Sequence, residues 1–240
     1  MLSGTLRLTY MLTIDKLSVS YGTHTVLYQL DLSLESGGIY GIVGYNGAGK
    51  TTLLNAIYGI PAQRDCIRFD GAPLSRRDIA YLETEVFFYS RITGQDYLDL
   101  FKAQNGRFDF ETLGAVFDLP LDRFVDSYST GMKKKLAISG ILSLDRKVLL
   151  LDEPFNGLDL EAVSILQLAL RKLRAAGKLV VVTSHILESL SPVCDAIHLL
   201  QGGKICKSYL PVEYPLLAGK LRADTAVKYD DALDRVFRKG

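Results

Sequence analysis

Residues Gly44 to Thr52 read GYNGAGKTT, which fits the phosphate-binding pattern G-x-x-x-x-G-K-[ST]. An apolar run, Ile39 to Val43, precedes the string and a helix-like LLNAIYG follows it. Glycines let several successive N–H groups face one point, and a helix that starts there adds its positive end to the same point. In such a loop Gly44, Tyr45, Asn46, Gly47, Ala48, Gly49 and Thr52 form a cradle. Lys50 reaches the β and γ phosphates, and the Thr51 hydroxyl suits a small hard cation such as Mg²⁺. A chain of this length meets the bare pattern by chance on the order of once in a hundred. An ordinary glycine-rich turn is the competing reading, and alone the string says only that a nucleoside triphosphate binds.

A second group of chemical residues lies further on. Val148 to Leu151 is a four-residue apolar run ending in Asp152-Glu153-Pro154. This puts two adjacent carboxylates at the C-terminal mouth of a buried strand, the end at which parallel sheets bind ligands. Asp152 can hold magnesium directly or through water. Side chains alternate along a strand, so Glu153 is expected to point the other way and to serve as general base for an attacking water. A strand ending in a solvated acidic turn is the alternative. Two more strings belong beside these: Thr183-Ser184-His185 closes another apolar run, and Ser129-Thr130-Gly131 precedes a basic helix rather than a second strand.

The elements that must position these residues follow from periodicity. Leu12 to Tyr21 and Gln29 to Leu34 alternate apolar and polar residues, as half-buried strands do, with Gly22 to His24 as the turn. CIRFDGAPL suggests a short strand pair around Asp70-Gly71. From Glu83 to Ser143 the spacing is helical, with helices expected at Gln95 to Gln104 and Phe110 to Phe117. Lys147 to Asp152 and Lys178 to Ser184 are continuous enough to be buried on both faces of a parallel sheet. Between them Leu158 to Ala176 is a leucine-striped helix with Gly177 as its C-terminal cap. Ala196 to Leu200 and the segment after Gly202-Gly203 form a closing hairpin, and DDALDRVFRKG at the end predicts one short amphipathic helix. The βαβ order implies an α/β core.

The chain has 240 residues, 48% of them hydrophobic and 23% charged, enough to bury a substantial core. Its formal charge of +1 leaves no global basic field for nucleic acid, and no nucleic-acid partner is expected. Cys66, Cys194 and Cys206 are odd in number and widely spaced, which fits buried reduced thiols better than a disulfide framework or a zinc site. No stretch approaches the length of an apolar membrane span. Met11 opens the first clean strand, so Met1 to Tyr10 reads as an upstream extension or a misassigned start.

Taken in order, the strings resemble the ATP-binding cassette (ABC) family over about Leu12 to Tyr209. DSYSTGMKKKLAISGIL looks like the segment carrying the family's signature, usually written LSGGQ and here Tyr128-Ser129-Thr130-Gly131-Met132. The resemblance implies that Ser129 and Gly131 grip the γ-phosphate of ATP held by a second copy. It makes His185 the switch histidine at the γ-phosphate, Asp159 of NGLD the aspartate that works across the dimer interface, and Tyr21 the aromatic that stacks on adenine. A core aromatic at a strand end is the other reading of Tyr21. In the family a glutamine ends the strand leading into the helical insertion and touches magnesium. Here the string is YLETE, and Thr84 stands at that position. Thr84 is shorter, so it is expected to act through water or to be replaced by Glu85.

The resemblance therefore implies a P-loop nucleotidase core with a mainly parallel sheet, an antiparallel β layer and a helical insertion subdomain. Residues 1–82 and 144–240 would form the ATP-binding core and 83–143 the helical signature subdomain. The implied protein is an ATPase subunit, cytoplasmic and peripheral on the inner face of the cell membrane. It would use ATP and Mg²⁺, pair head to tail with a copy of itself, and dock on an integral membrane transporter subunit. Glu153, His185 and Lys50 would be its catalytic residues and Thr51, Asp152 and Thr84 its metal residues. STGMKKKL and FFYSRITGQDYL look most like cassettes of bacterial exporters and drug-type transporters. A non-transport ABC-type ATPase serving translation, repair or cofactor assembly, and a weakly hydrolysing regulator hinted at by Thr84, are the alternatives. Ribosome-acting members usually resemble two joined cassettes and repair members carry a long coiled coil; this chain has neither.

Overall fold

The computed structural model describes residues 10–59 and 65–237. Met1 to Ser3 and the rest of the proposed upstream extension fall outside them, except Tyr10, whose ring stacks on Phe69 at 5.7 Å and whose N–H donates to Ser36. Tyr10 thus packs with the fold rather than lying apart from it.

Two sheets are built from strands of opposite habit. The first is antiparallel: β1 (Met11–Tyr21), β2 (His24–Glu35), β4 (Ile67–Phe69) and β5 (Ala72–Pro73), in the order β2-β1-β4-β5. The second runs β10-β9-β3-β8-β7-β6. It comprises β3 (Ile39–Val43), β6 (Ile79–Leu82), β7 (Val148–Asp152), β8 (Leu179–Ser184), β9 (Ala196–Gln201) and β10 (Lys204–Tyr209). Its first five members in space from β6 to β9 are parallel, and β10 returns antiparallel to β9 through the Gly202-Gly203 turn.

The strand β2 begins at His24, five residues earlier than the alternation indicates. Lys16 and Gln29 both take left-handed φ values, 49° and 44°, and the β1–β2 register shifts beside them. Each kink carries one residue out of phase. Its freed amide is caught by a side chain: Lys16 N–H donates to Asp31 at 2.8 Å and Gln29 N–H to Ser18 at 2.9 Å.

The parallel strands alternate between two cores. Leu149, Leu151, Val180 and Val182 face one and Val148, Leu150, Leu179 and Val181 the other. Helix α1 (Lys50–Tyr58) fills the second core, with Leu53, Leu54 and Ile57 packed between the sheets. The first core is covered by α2 (Gly94–Lys102), α3 (Phe110–Val116), α4 (Thr130–Ser143), α5 (Leu160–Ala175) and the short α6 (Leu187–Leu190). Caps set the helix ends: Thr93 and Asp96 form a reciprocal capping box on α2, and Asp109 and Asp159 cap α3 and α5.

Two expectations change. The tail forms α7 (Tyr214–Phe237), a 24-residue helix in place of a short terminal one, with Pro215 tolerated in its first turn. Tyr214 and Leu217 anchor it to the first core. Of the three thiols Cys194 is buried, Cys66 half-buried and Cys206 exposed.

Candidate active site

The C-terminal ends of β3, β6, β7 and β8 lie along one edge of the parallel sheet, so everything that follows them in sequence meets there. After β3 comes the glycine loop, after β6 Thr84, after β7 Glu153, and after β8 His185. They line a groove of 630 Å³. Asn46, Gly47, Ala48, Gly49, Lys50, Thr51 and Thr52 form one wall, with Thr84, Glu153 and His185 opposite.

The loop is shaped by its backbone. Gly49 immediately precedes α1 with φ of 104°, a conformation closed to most residues, and an added Cβ would press on Leu27 at 2.8 Å. No side chain caps the start of α1, so its first amides stay free to meet an anion. Gly44 and Tyr45 are not on the groove wall and instead line the neighbouring cavity against α7. The Gly44 carbonyl accepts from Lys50 Nζ at 2.8 Å, and the Tyr45 hydroxyl donates to the Leu221 carbonyl of α7 at 3.0 Å.

Asp152 is fully buried and accepts three hydroxyls. Thr51 and Thr84 both donate to Oδ2 at 2.7 Å, and Thr183 donates to Oδ1 at 2.5 Å. Thr84 therefore reaches the Asp152 carboxylate directly. Its chain leaves β6 close beside β7, and this proximity makes up for the short side chain. The oxygen donors Thr51, Thr84 and Asp152 have the chemistry that a small hard cation such as magnesium would require.

Glu153 departs from the expected alternation. Its φ is 48°, so β7 ends at Asp152 and the chain turns through the left-handed region. This turn, held by Glu153 N–H donating to Thr183 Oγ1 at 2.9 Å, sends both carboxylates toward the glycine loop. Glu153 Oε1 lies 3.6 Å from Lys50 Nζ, and Oε2 lies 3.0 Å from His185 Nδ1. A left-handed non-glycine residue at a cleft is a recognised signature of strain held for function. The carboxylate is thus held between a lysine and a histidine at the mouth of the groove.

The remaining predicted residues are not brought to this groove. Tyr21 ends β1 and is 54% exposed, neither in the core nor on the groove wall; His24 and Val26 line the wall just beyond it. Ser129 is exposed and caps α4 by accepting from Met132 N–H at 3.2 Å, and Gly131 packs so closely on the Gly157 carbonyl that a Cβ would lie 2.7 Å from it. Asp159 accepts from Ala162 N–H and pairs with Lys135 at 2.9 Å. The Ala162 amide and Lys135 hold its carboxyl below the usual range.

Sequence reasoning passed over His24, Val26, Asn156 and Lys134. His24 and Val26 join the groove from the start of β2 and Asn156 from the loop after β7, and no spacing rule reaches them. Lys134 is the middle of the run Lys133-Lys134-Lys135, and only the apolar Ala137 and Ile138 one turn further on mark its face of the helix. Burial pulls its pKa down, against the opposing pull of Asp152 and Glu153.

A parallel sheet whose strand ends meet a glycine loop opening a helix defines a nucleoside-triphosphate-binding protein of the phosphate-loop class. The sequence model of the family described as ABC transporter matches residues 27–156. A lantibiotic transport ATP-binding protein, SrtF of Streptococcus pyogenes, is 30% identical over 203 residues, 81% of this chain and 89% of that one. The ABC transporter ATP-binding protein NatA of Bacillus subtilis is 31% identical over 193 residues, covering 73% of this chain and 78% of that protein. Among solved structures, an ATP binding subunit of an ABC transporter superposes with a TM-score of 0.76 at 28% identity, over 83% of this chain and 90% of that one. The chain belongs to the ABC transporter family as an ATP-binding subunit. No helix among the described residues is long and apolar enough to cross a membrane.

Proposed function

We propose that this subunit hydrolyses ATP to ADP and phosphate, with magnesium, and that the hydrolysis drives an integral membrane transporter subunit on which the chain docks peripherally from the cytoplasmic side. The observation that carries the reading is Glu153, a carboxylate held between Lys50 and His185 over the glycine loop. Lys50 and the α1 amides bind and orient the β and γ phosphates. Thr51 and Asp152, with Thr84 behind them, would hold the metal, which supplies charge neutralisation on the phosphates when bound. Glu153 accepts a proton from the attacking water, and His185, bonded to Glu153, orients that carboxylate and meets the γ-phosphate.

Ser129, Gly131 and Asp159 belong to the same reading through a second copy. They stand away from their own groove, on a helix start and a loop free to face another chain. Two copies pairing head to tail would close each glycine loop with the partner's signature, and residues 83–143 would move as the subdomain that carries it. Similar chains are named for lantibiotic transport and for ribose import, which supports a reading in which the membrane subunit sets the cargo.

The test is purification from native membranes in detergent with ATP. A multispan protein recovered with the chain, together with phosphate release that needs magnesium, supports the proposal. Phosphate release without any multispan partner supports a non-transport ATPase instead.

A further inference from the structure

Two lysines are buried among the described residues, Lys50 at 8% exposure and Lys134 at 6%. Lys50 belongs to the phosphate loop. Lys134 stands on the second turn of α4, the helix that begins at the signature, and its Nζ points out of that helix toward the chain leaving β6. There it donates to the Thr84 carbonyl at 3.2 Å and the Glu83 carbonyl at 3.5 Å. Thr84 in turn donates its hydroxyl to Asp152 Oδ2, the oxygen that also accepts from Thr51. The backbone of Thr84 is thus held by the signature helix while its side chain holds the buried carboxylate.

An ammonium at this depth is costly, because water no longer solvates it and two carbonyls are a partial substitute. Packing alone would be served better by Leu or Met. The charge has a purpose if it is aimed, and it is: Asp152 and Glu153 both favour the charged Lys134, against the effect of burial. A long, flexible stem ending in several donors can hold two adjacent carbonyls as the helix shifts.

We propose that Lys134 is a positioning residue that couples the signature helix to the metal site, acting through the Thr84 backbone and hydroxyl on the carboxylate of Asp152. This rests on the reading that Thr51 and Asp152 hold magnesium beside ATP. When α4 moves as the signature meets a second copy, Lys134 carries Thr84 with it, and the orientation of Asp152 follows. Metal retention then depends on the position of a helix whose own residues do not touch the metal.

The test uses the full chain as wild type, Lys134→Met, Lys134→Gln, Thr84→Val and the Lys134→Met/Thr84→Val double variant. Mn²⁺ binding to the ATP-loaded protein is read by electron paramagnetic resonance, and ATP affinity without metal by titration of a fluorescent analogue in chelator. Lys134→Met is expected to raise the Mn²⁺ concentration for half-saturation by about tenfold, as removal of an outer partner of a metal ligand does. Metal-free ATP affinity should stay within about twofold, since the phosphate contacts of Lys50 and the α1 amides are untouched. The double variant should be no worse than Thr84→Val, because the two residues act in series. Lys134→Gln keeps donors without the charge and should raise the midpoint by about threefold.

An unmoved Mn²⁺ midpoint, an equal loss of metal-free ATP affinity, or additive effects would overturn the proposal. If Lys134→Met does not fold, a wild-type midpoint in Lys134→Gln overturns it alone. A wild-type chain without metal-dependent ATP binding sinks the underlying reading instead.

Discussion

The starts of α1 and α4 are both helix N-termini entered through small residues, yet only one carries its own chemistry. At α1 no side chain caps the first turn, and Lys50, Thr51, Glu153 and Asp152 crowd the open amides. At α4 the Ser129 hydroxyl already accepts from Met132, and the helix start is braced on the loop at Gly157 and, through Lys135, on Asp159. One anion site is complete and charged within the chain. The other is a shaped surface with its catalytic groups elsewhere. Binding and turnover are therefore separable: α1 should hold ATP in an isolated chain, while α4 should matter only once a second copy supplies the phosphate.

The largest expected effect breaks turnover on the α1 side without touching binding. Glu153→Gln keeps the shape and removes the proton acceptor, so phosphate release should fall by about a thousandfold, within the range for loss of a general base. ATP should still bind, and an ATP-dependent dimer should accumulate on size exclusion. Undiminished phosphate release in this variant rules out Glu153 as the base.

Lys50→Met attacks binding itself. It deletes the cation aimed at the phosphates and leaves Glu153 and the Gly44 carbonyl without their shared partner. Affinity for ATP should drop about a hundredfold, or about 2.7 kcal/mol, as for truncation of a buried charge-pair partner. Equilibrium titration checks it, and a change below threefold would mean that the α1 amides alone hold the nucleotide.

How much of this contrast was legible in the sequence differs by region. The glycine loop, the strand-end acids and the terminal histidine stand in contiguous strings, and each needs only its own strand to point it at the groove. Placement of Glu153 was reached by the wrong route, since a left-handed φ and not strand alternation directs it. A single residue's φ leaves no periodic trace. The β1–β2 bulges at Lys16 and Gln29 hid half of β2 for the same reason. That Thr84 meets Asp152 was not legible either, because it depends on β6 pairing directly with β7, a neighbour relation that chain order does not give. The length of α7 escaped because its exposed second half shows little periodic apolar content against which to draw a boundary.

A loss of stability in acid is expected from a residue outside both helix starts. His198 on β9, beside β3 and the loop, is buried with its Nδ1 2.7 Å from the Ser208 hydroxyl and its Nε2 without a partner among the described residues. Burial lowers its pKa to about 4 from an ordinary 6.5. The folded chain therefore refuses a proton that the unfolded chain accepts. Stability is undiminished above pH 6.5 and falls as the pH drops from there toward 4. At pH 5 the loss from this group should be about 2 kcal/mol, read by urea unfolding at pH 7 and pH 5. His198→Gln should flatten that dependence, and an unchanged pH dependence in this variant would rule His198 out as its source.

The smallest effect is the one that decides the comparison. Ser129→Ala removes the cap of α4, which should cost about 1 kcal/mol of stability, as loss of an N-cap hydroxyl does. In dilute protein, where copies are apart, ATP affinity should equal that of wild type, because Ser129 does not line the groove of its own chain. At concentrations that favour pairing, turnover should fall by about tenfold, the worth of one lost hydrogen bond to a charged oxygen. Mixing Ser129→Ala with Lys50→Met sharpens this further. In a head-to-tail pair both defects can fall on the same groove, which leaves the other groove with an intact loop and an intact signature, so the mixture should release phosphate faster than either variant alone. Such a gain has no source if each chain hydrolyses alone, since α4 of a single copy would then be only a capped helix on the surface.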